Sequence, residues 1–311
     1  MRRLDDSQPV LVKELRGRMR GARAFVVLTI FLLVLSGFAL LLYLVVRSSV
    51  QNDPFSAGRT IGKTLFFGIG IVALIQVMII VPAQAAGAIS GEREAETYDL
   101  LVATLLPAWK IVLGKLLASL AYAVLLIIAV VPFMALAFFF GGVAGSEVAI
   151  ALVGLMVTAL LYGAVGILCS SIAARTMTAT VMTQAANVLV ILGIPFLLYV
   201  FFTMLRWSGP GEWPAWTENY VFIYLAGSVL AVHPFIALGA AAGLFSTGET
   251  GPFVRVDWGQ GEQFWIPHPW IAFTVEGLVL AALLIMLAIR AVRPQDTNPS
   301  RRRGRSRQNS R

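Results

Sequence analysis

Charged residues are scarce in this chain, and that scarcity decides its broad class. Of 311 residues, 13% are charged and 58% are hydrophobic, whereas soluble domains carry roughly 25% charged and about 45–50% apolar residues. The mean hydropathy is +0.82. The length would suit about two soluble domains, but a chain this apolar is expected to place its core elements in lipid instead.

Cysteine and histidine are almost missing as well. Cys169 is the single cysteine, which excludes a disulfide framework and a cysteine-based zinc site. His233 and His268 lie far apart and each precedes a proline, so they predict no histidine-rich metal site. The sequence offers no Ser/His/Asp set and no HExxH motif, which removes the chemistry of membrane hydrolases and proteases. We therefore expect no catalytic residue, no metal site and no cofactor.

Long apolar runs are what the chain has in quantity. Runs of about 20 apolar residues can cross a bilayer as helices, and six are predicted, at 24–46, 65–88, 116–140, 148–172, 178–204 and 269–290. A seventh run, 221–245, contains the His233-Pro234 step, which breaks a helix near its middle. We predict an all-α integral membrane protein with six transmembrane helices, in which this seventh run is re-entrant or interfacial.

Basic residues concentrate at the two termini. Residues 1–23 hold seven Lys/Arg and residues 290–311 hold eight Arg, and such clusters mark the cytoplasmic side of a span. Both termini are therefore predicted to be cytoplasmic in a multi-pass inner-membrane protein, which requires an even number of crossings. The stretch 205–268 is net acidic, which suits the outside, and it is rich in tryptophan, which suits an interfacial belt. The basic 47–64 loop fits this topology poorly.

Three regions follow from this distribution. Residues 1–23 contain an amphipathic stretch, Pro9–Arg23, which is predicted to lie in the cytoplasmic interface. Residues 24–290 form the transmembrane domain, and residues 291–311 form an Arg-rich tail that is expected to be disordered. Contact of this tail with anionic membrane lipid is favoured over binding to nucleic acid, because the tail directly follows a span.

Residues 57–64, AGRTIGKT, match a relaxed phosphate-binding loop with alanine in place of the first glycine. A working loop of this kind lies between a strand and a helix and needs an acidic partner for magnesium. Here the match falls in a short loop that is predicted to be external, with no domain after it to hold a nucleotide. We interpret the match as chance and predict that this chain does not itself hydrolyse ATP.

Polar side chains inside predicted spans are candidates for the lining of a transport path. Glu276 is the clearest, about two turns into the last span, and the others are Gln84, Gln184 and Asn187. The alternative is hydrogen bonding between helices, at about 0.6–2 kcal/mol for each bond, and it is favoured for the amides. One clear acid at membrane depth argues against a proton-coupled carrier.

The segment 90–115, SGEREAETYDLLVATLLPAWKIVLGK, is the most distinctive part of the sequence. Its acidic opening suits the positive end of a helix dipole, so an amphipathic helix is predicted to begin there and to end at Pro107. Acids facing an anionic leaflet make a position on lipid headgroups unfavourable. We expect this helix to dock in a protein groove.

Together with the stretches 9–25 and 89–115, these features resemble an ABC-2 type permease, the membrane subunit of a bacterial ATP-binding-cassette (ABC) transporter. The resemblance implies an N-terminal amphipathic interfacial helix, a cytoplasmic coupling helix at Glu92–Leu106 and a re-entrant segment before the last span. It also implies a separate ABC ATPase subunit and a second permease copy as partners. The ATPase interface that it implies comprises Glu92, Arg93, Glu94, Glu96, Thr97, Leu100, Leu101, Thr104, Leu105 and Arg175.

The predicted function is therefore that of a permease subunit, and its apolar walls favour export of a hydrophobic or amphiphilic substrate. The alternative is an ATPase-independent membrane protein, either a secondary carrier or a scaffold that anchors an assembly. Co-purification distinguishes the two, because a permease should bring an ATPase with it.

Overall fold

The computed structural model describes residues 22–49, 54–98, 107–207, 216, 219–258 and 262–292. A π-helical turn spans Leu189–Gly193, and two strands, β1 (Phe253–Trp258) and β2 (Glu262–Pro267), form an antiparallel hairpin. The α-helices are α1 (Ala22–Ser49), α2 (Pro54–Glu94), α3 (Ala108–Phe140), α4 (Gly145–Ile172), α5 (Thr176–Val188), α6 (Ile194–Trp207), α7 (Tyr220–Ala231), α8 (Pro234–Ser246) and α9 (Pro269–Val292).

Among the described residues, six helical segments are long and apolar enough to cross a membrane, and α5, the π turn and α6 together make one of them. Each of the six overlaps one of the predicted runs, and the prediction of an all-α integral membrane protein is confirmed. The hairpin was not predicted. The predicted N-terminal interfacial helix and the Arg-rich tail lie outside the described residues, except for Ala22 and Arg23, which belong to α1, and residues 291–292, which belong to α9.

Helix α2 lies at the centre of the bundle, where it packs against α1, α3, α4 and α5. Its contact with α4 is the most extensive of these. A Cβ atom on Gly166 of α4 would lie 2.5 Å from the carbonyl oxygen of Pro82, so only glycine fits at this crossing. Small residues let two backbones approach closely, which is a common way for helices to pack in lipid.

Glycine has the same role in the AGRTIGKT match. Helix α2 begins at Pro54, a residue suited to a first helical turn, so residues 57–64 are helical and the predicted loop is wrong over this stretch. A Cβ atom on Gly62 would lie 2.0 Å from the carbonyl oxygen of Gly141, at the end of α3. Gly62 thus serves a helix contact, in keeping with the interpretation of the match as chance.

Pro82 interrupts the hydrogen bonding of α2. Proline has no N–H to donate to the carbonyl four residues before it, which is that of Met78. From α5, Asn187 Nδ2 donates to the Met78 carbonyl at 3.3 Å, and Gln184 Nε2 donates to the Ile79 carbonyl at 2.9 Å. A neighbouring helix thereby satisfies the carbonyl groups around the proline, as a span in lipid requires.

Helices α7 and α8 form a bent pair, with 109° between them. The bend falls at His233-Pro234, where the sequence predicts a break. His233 Nδ1 accepts a hydrogen bond from the Ile236 N–H at 3.3 Å and so caps α8. Its Nε2 therefore carries the proton and donates to the Ile191 carbonyl at 3.0 Å. Ile191 belongs to the π turn, where the helical hydrogen-bond pattern is widened.

The outer parts of the bent pair both meet the chain between the second half of β2 and the start of α9. The Tyr224 hydroxyl of α7 donates to the Trp265 carbonyl at 2.7 Å. The Phe245 ring, at the end of α8, stacks on the buried His268 with ring centroids 4.7 Å apart. The two arms of the pair thus contact one region, while the bend at His233 contacts the middle of the α5–α6 segment.

Candidate functional site

The end of α2 sets the geometry of the acidic segment. Glu96 has a φ of 58°. Its N–H donates to the Arg93 carbonyl, and the Thr97 N–H donates to the Glu92 carbonyl. Two such bonds around a left-handed residue form a Schellman motif, in which glycine is the usual occupant of the left-handed position. The chain therefore stops being helical here and turns in a defined direction.

Glu92 and Glu94 lie in the last turn of α2, whereas the sequence predicts them at the start of a new helix. That prediction is wrong because no proline interrupts residues 83–94, so α2 continues beyond its predicted end at residue 88. A carboxylate is unfavourable at the negative end of its own helix dipole. Both acids therefore depend on partners from other helices.

Glu92 is paired with Lys115 of α3. The ammonium nitrogen of Lys115 lies 3.2 Å from Glu92 Oε1, and Lys115 is only 1% exposed. Removal of an ammonium from water is costly unless an opposite charge and hydrogen bonds compensate for it. The ion pair therefore fixes the last turn of α2 against the first part of α3.

Glu94 contacts the start of α5. Its Oε2 accepts a hydrogen bond from the Thr176 backbone N–H at 3.0 Å, one of the first N–H groups of a helix, which have no partner within that helix. Arg175 at the N-cap of α5 adds a positive charge next to Glu94. Arg93 Nη1 donates to the Ala173 carbonyl at 3.1 Å. These contacts join the turn to the connection between α4 and α5.

A buried serine that the sequence prediction missed strengthens this connection. Ser170 Oγ on α4 accepts hydrogen bonds from the backbone N–H groups of Ile89 at 2.8 Å and of Ser90 at 2.9 Å. The available signal was the pair Ser170-Ser171, which ends an otherwise apolar run. The role of Ser170 depends on contact with residues 89 and 90, which are distant along the chain, and serines within spans also form local bonds that carry no such role.

Tyr98 brings the last span to the same place. Its hydroxyl donates to the Val292 carbonyl at 3.3 Å, and the Arg93 guanidinium lies 4.8 Å from the centre of its ring. The ends of α2, α4 and α9 and the starts of α3 and α5 therefore meet at one end of the bundle. We call residues 92–98 and 173–177 the acidic-turn surface.

Much of the acidic-turn surface is open. Met177 is 79% exposed, and Glu94, Glu96, Thr97 and Arg175 are exposed as well. The structure thus brings together the predicted interface residues Glu92, Arg93, Glu94, Glu96, Thr97 and Arg175. The other predicted members, Leu100, Leu101, Thr104 and Leu105, lie outside the described residues.

The polar residues predicted to line a path do not form one cluster. Gln184 and Asn187 donate hydrogen bonds to the backbone of α2 near Pro82, and interhelical hydrogen bonding of this kind is the alternative favoured from the sequence. Gln84 also lies on α2. Glu276 lies on α9, in a separate cavity bounded by α6, α7, α8 and the hairpin.

The described bundle contains two apolar cavities of note. One, with a volume of about 160 Å³, lies between α2, α3, α4 and α8, and the cavity that contains Glu276 has a volume of about 300 Å³. Within the described ranges, no group of three or more His, Cys, Asp or Glu side chains is placed to hold a metal ion.

Six apolar helical segments among the described residues, with a fixed polar turn at one end, define a multi-pass integral membrane protein. A family model for ABC-2 family transporter proteins matches residues 8–238, more than half of the chain. The chain belongs to this family, so the resemblance found in the sequence is confirmed, and it is a permease subunit of an ABC transporter. Members generally work with an ATP-binding cassette partner. No curated protein matches the chain.

Proposed function

We propose that this permease subunit is part of an exporter and that the acidic-turn surface binds a separate ATPase subunit. The observation that carries the proposal is the set of contacts between residues 92–98 and residues 173–177. These two segments are distant in sequence but form one exposed surface of mixed charge. A partner that docks there contacts both segments at once.

The contacts at this surface suit it for transmitting movement. Glu92 is bound to α3 through Lys115, and Glu94 is bound to the first N–H of α5. Arg93 is bound to the end of α4. Closure of the ATPase subunits on ATP would therefore displace the ends of four helices together. The permease then needs only two conformations that differ by a few kcal/mol, with nucleotide shifting their populations.

The length of α2 supports a position of this surface outside the hydrocarbon layer. A helix of 41 residues is about 60 Å long at 1.5 Å per residue, whereas the hydrocarbon core of a bilayer is about 30 Å thick. We propose that the acidic-turn end is cytoplasmic in the inner membrane and that both termini lie on that side. The bent pair α7–α8 would then enter from the outside and return to it.

The exposed face of the α5–α6 segment supports association with a second permease copy. In the most apolar stretch of the α5–α6 segment, no residue is buried. In the most apolar stretch of α4, by contrast, half of the residues are buried. Its exposed side chains include Val181, Leu189, Leu192 and Phe196. In a dimer with two-fold symmetry, each copy would cover this face of the other. The apolar cavities favour a hydrophobic or amphiphilic exported substrate.

Co-purification tests the ATPase contact. The tagged chain is expressed with its cassette ATPase, and the subunit that purifies with it is identified by mass spectrometry. We expect Arg175→Glu combined with Met177→Asp to remove most of the bound ATPase, because a carboxylate against a docked surface is costly without a partner. On an open surface such changes cost only about 0.5 kcal/mol or less, and Arg175→Glu also removes the positive charge beside Glu94. Permease yield should therefore not change, and the melting temperature should fall only slightly.

Matched controls belong on the opposite end of the bundle, where Thr247 and Glu249 are also exposed. Thr247→Asp combined with Glu249→Lys should leave the bound ATPase at the wild-type amount. Leu101→Asp combined with Leu105→Asp tests the remaining part of the predicted interface. A wild-type chain that purifies without any cassette ATPase, or an Arg175/Met177 variant that retains all of it, contradicts the proposal and favours an ATPase-independent carrier or scaffold.

A further inference from the structure

The larger apolar cavity lies beside the last span and has the size of a ligand site. Its volume is about 300 Å³, and its walls come from α6, α7, α8, the hairpin and α9. Small-molecule sites occupy roughly 300–1,000 Å³ and are lined mainly by apolar and aromatic side chains. The wall side chains here include Phe202, Phe222, Ile236, Val256 and Ala272.

Glu276 is the only residue in these walls, as far as the structure describes them, with an ordinarily charged side chain. Its carboxyl interacts with the Ser228 hydroxyl of α7, but its Oε2 is buried with no hydrogen-bond partner among the described residues. The Tyr224 hydroxyl, in the same wall, is already bonded to the Trp265 carbonyl. A buried acceptor without a donor is costly, and a ligand that donates to Oε2 would remove that cost.

We propose that this cavity binds an apolar molecule that carries a single amine. The ammonium group would donate to Glu276 Oε2, and the apolar body would occupy the space between α7, α8 and the hairpin. An ammonium is favoured over a hydroxyl because a hydrogen bond between two charged groups is roughly twice as strong as one between neutral groups. A carboxylate ligand would meet Glu276 as a like charge and is excluded.

Much of this site lies outside the part of the chain that matches the family. The match ends at residue 238, whereas Glu276, the hairpin and α9 lie beyond it. The proposal also does not depend on the ATPase contact, because binding is a property of the permease alone. Failure of one proposal therefore leaves the other in place.

The test uses the full-length chain in nanodiscs of zwitterionic lipid, with empty nanodiscs as background. The probes are tritiated 1-(1-naphthyl)ethylamine and the matched neutral alcohol, 1-(1-naphthyl)ethanol. We expect saturable binding of the amine by the wild-type chain, and binding of the alcohol at least about tenfold weaker. Glu276→Gln should weaken amine binding about tenfold or more and leave alcohol binding within about twofold, since hydrogen bonds to charged groups are the stronger ones.

Two further variants make the result specific. Glu147 is the acid in the wall of the smaller cavity, and Glu147→Gln should leave amine binding unchanged. A Cβ atom on Gly227, in the wall of the larger cavity, would meet nothing within 4 Å, so Gly227→Leu should fold and fill the space. It should weaken binding of both probes while Glu276 stays in place.

Equal binding of amine and alcohol by the wild-type chain overturns the proposal, as does an amine affinity that survives either Glu276→Gln or Gly227→Leu. If Glu276→Gln does not fold, the Gly227→Leu and Glu147→Gln variants still decide between a filled site and nonspecific partition into lipid. Loss of amine binding in the Glu147 variant instead would assign the amine to the smaller cavity and contradict the proposal.

Discussion

Lys115 is almost fully buried near the start of α3, and its ammonium is held by a carboxylate that is itself a quarter exposed. The two partners are thus unequal. Glu92 can be hydrated if it loses Lys115, but Lys115 has little access to water if it loses Glu92. The stability of the acidic turn therefore depends on which partner is removed.

Glu92→Gln is expected to destabilise the permease by about 2 kcal/mol. This is less than the roughly 3–5 kcal/mol typical of a broken buried ion pair, because part of the Glu92 side chain is exposed. Lys115→Met alone should cost less, since no buried charge then remains. The double variant should recover most of the loss caused by Glu92→Gln. Melting temperatures in one detergent measure all three, and a double variant no more stable than Glu92→Gln contradicts the explanation.

The sequence predicted which residues form the acidic-turn surface, but it did not predict that they end a helix instead of beginning one. Three glutamates in a row of polar residues are compatible with the beginning of a helix and with the end of one. Whether these residues begin a helix or end one depends on their contacts with residues 115, 173 and 176, which are distant along the chain. Ser170 was missed for the same reason, because its role depends on contact with residues 89 and 90.

Among the elements, α2 and α5 show how a proline is accommodated inside a span. Pro82 leaves the Met78 carbonyl without its helical donor, and Asn187 of α5 supplies a replacement. Each such interhelical bond contributes about 0.6–2 kcal/mol in lipid. The amide of Asn187 thus replaces the hydrogen bond that Pro82 removes from α2.

A double-mutant cycle tests this pairing. Asn187→Ala should destabilise the wild-type permease by about 1 kcal/mol. It should cost distinctly less in a Pro82→Ala background, because the backbone N–H that this substitution restores can donate to the Met78 carbonyl. Thermal unfolding of the four proteins gives the coupling energy, and Gln76→Ala serves as a control amide that bonds α1 instead. Additive effects of the two substitutions would contradict the pairing.

Hydropathy predicted the spans well because length and apolarity are local properties of the sequence. The hairpin was missed although its signals were present: two short runs rich in Val, Ile, Phe and Trp, separated by Gly-Gln-Gly at 259–261. The tryptophans of this stretch were instead interpreted as an interfacial belt. The prediction of a loop at 57–64 failed because the predicted span starts with the apolar run at residue 65, whereas the helix begins at Pro54 and packs Gly58 and Gly62 against the end of α3.

For the whole molecule, the proposed topology assigns each end of the bundle to one side of the membrane. Single cysteines are introduced in a Cys169→Ala background at Asn219, Thr247 and Glu96. A membrane-impermeant maleimide added to intact cells should label the first two positions, because the arms of the bent pair both contact the hairpin region. Glu96→Cys should be labelled only in inside-out vesicles. Labelling of positions 219 and 247 from opposite sides would show that the bent pair crosses the membrane.

The π turn at Leu189–Gly193 changes how the fifth span must be aligned with its relatives. A π turn holds one residue more than the α-helical turn it replaces, so it is equivalent to a single inserted residue. Each residue of an α-helix accounts for about 100° of rotation. Side chains of α6 are therefore rotated by about that angle relative to a continuous α-helix that starts at Thr176. A gap-free alignment with a relative that lacks the turn would assign the lipid-facing side of α6 to the wrong residues.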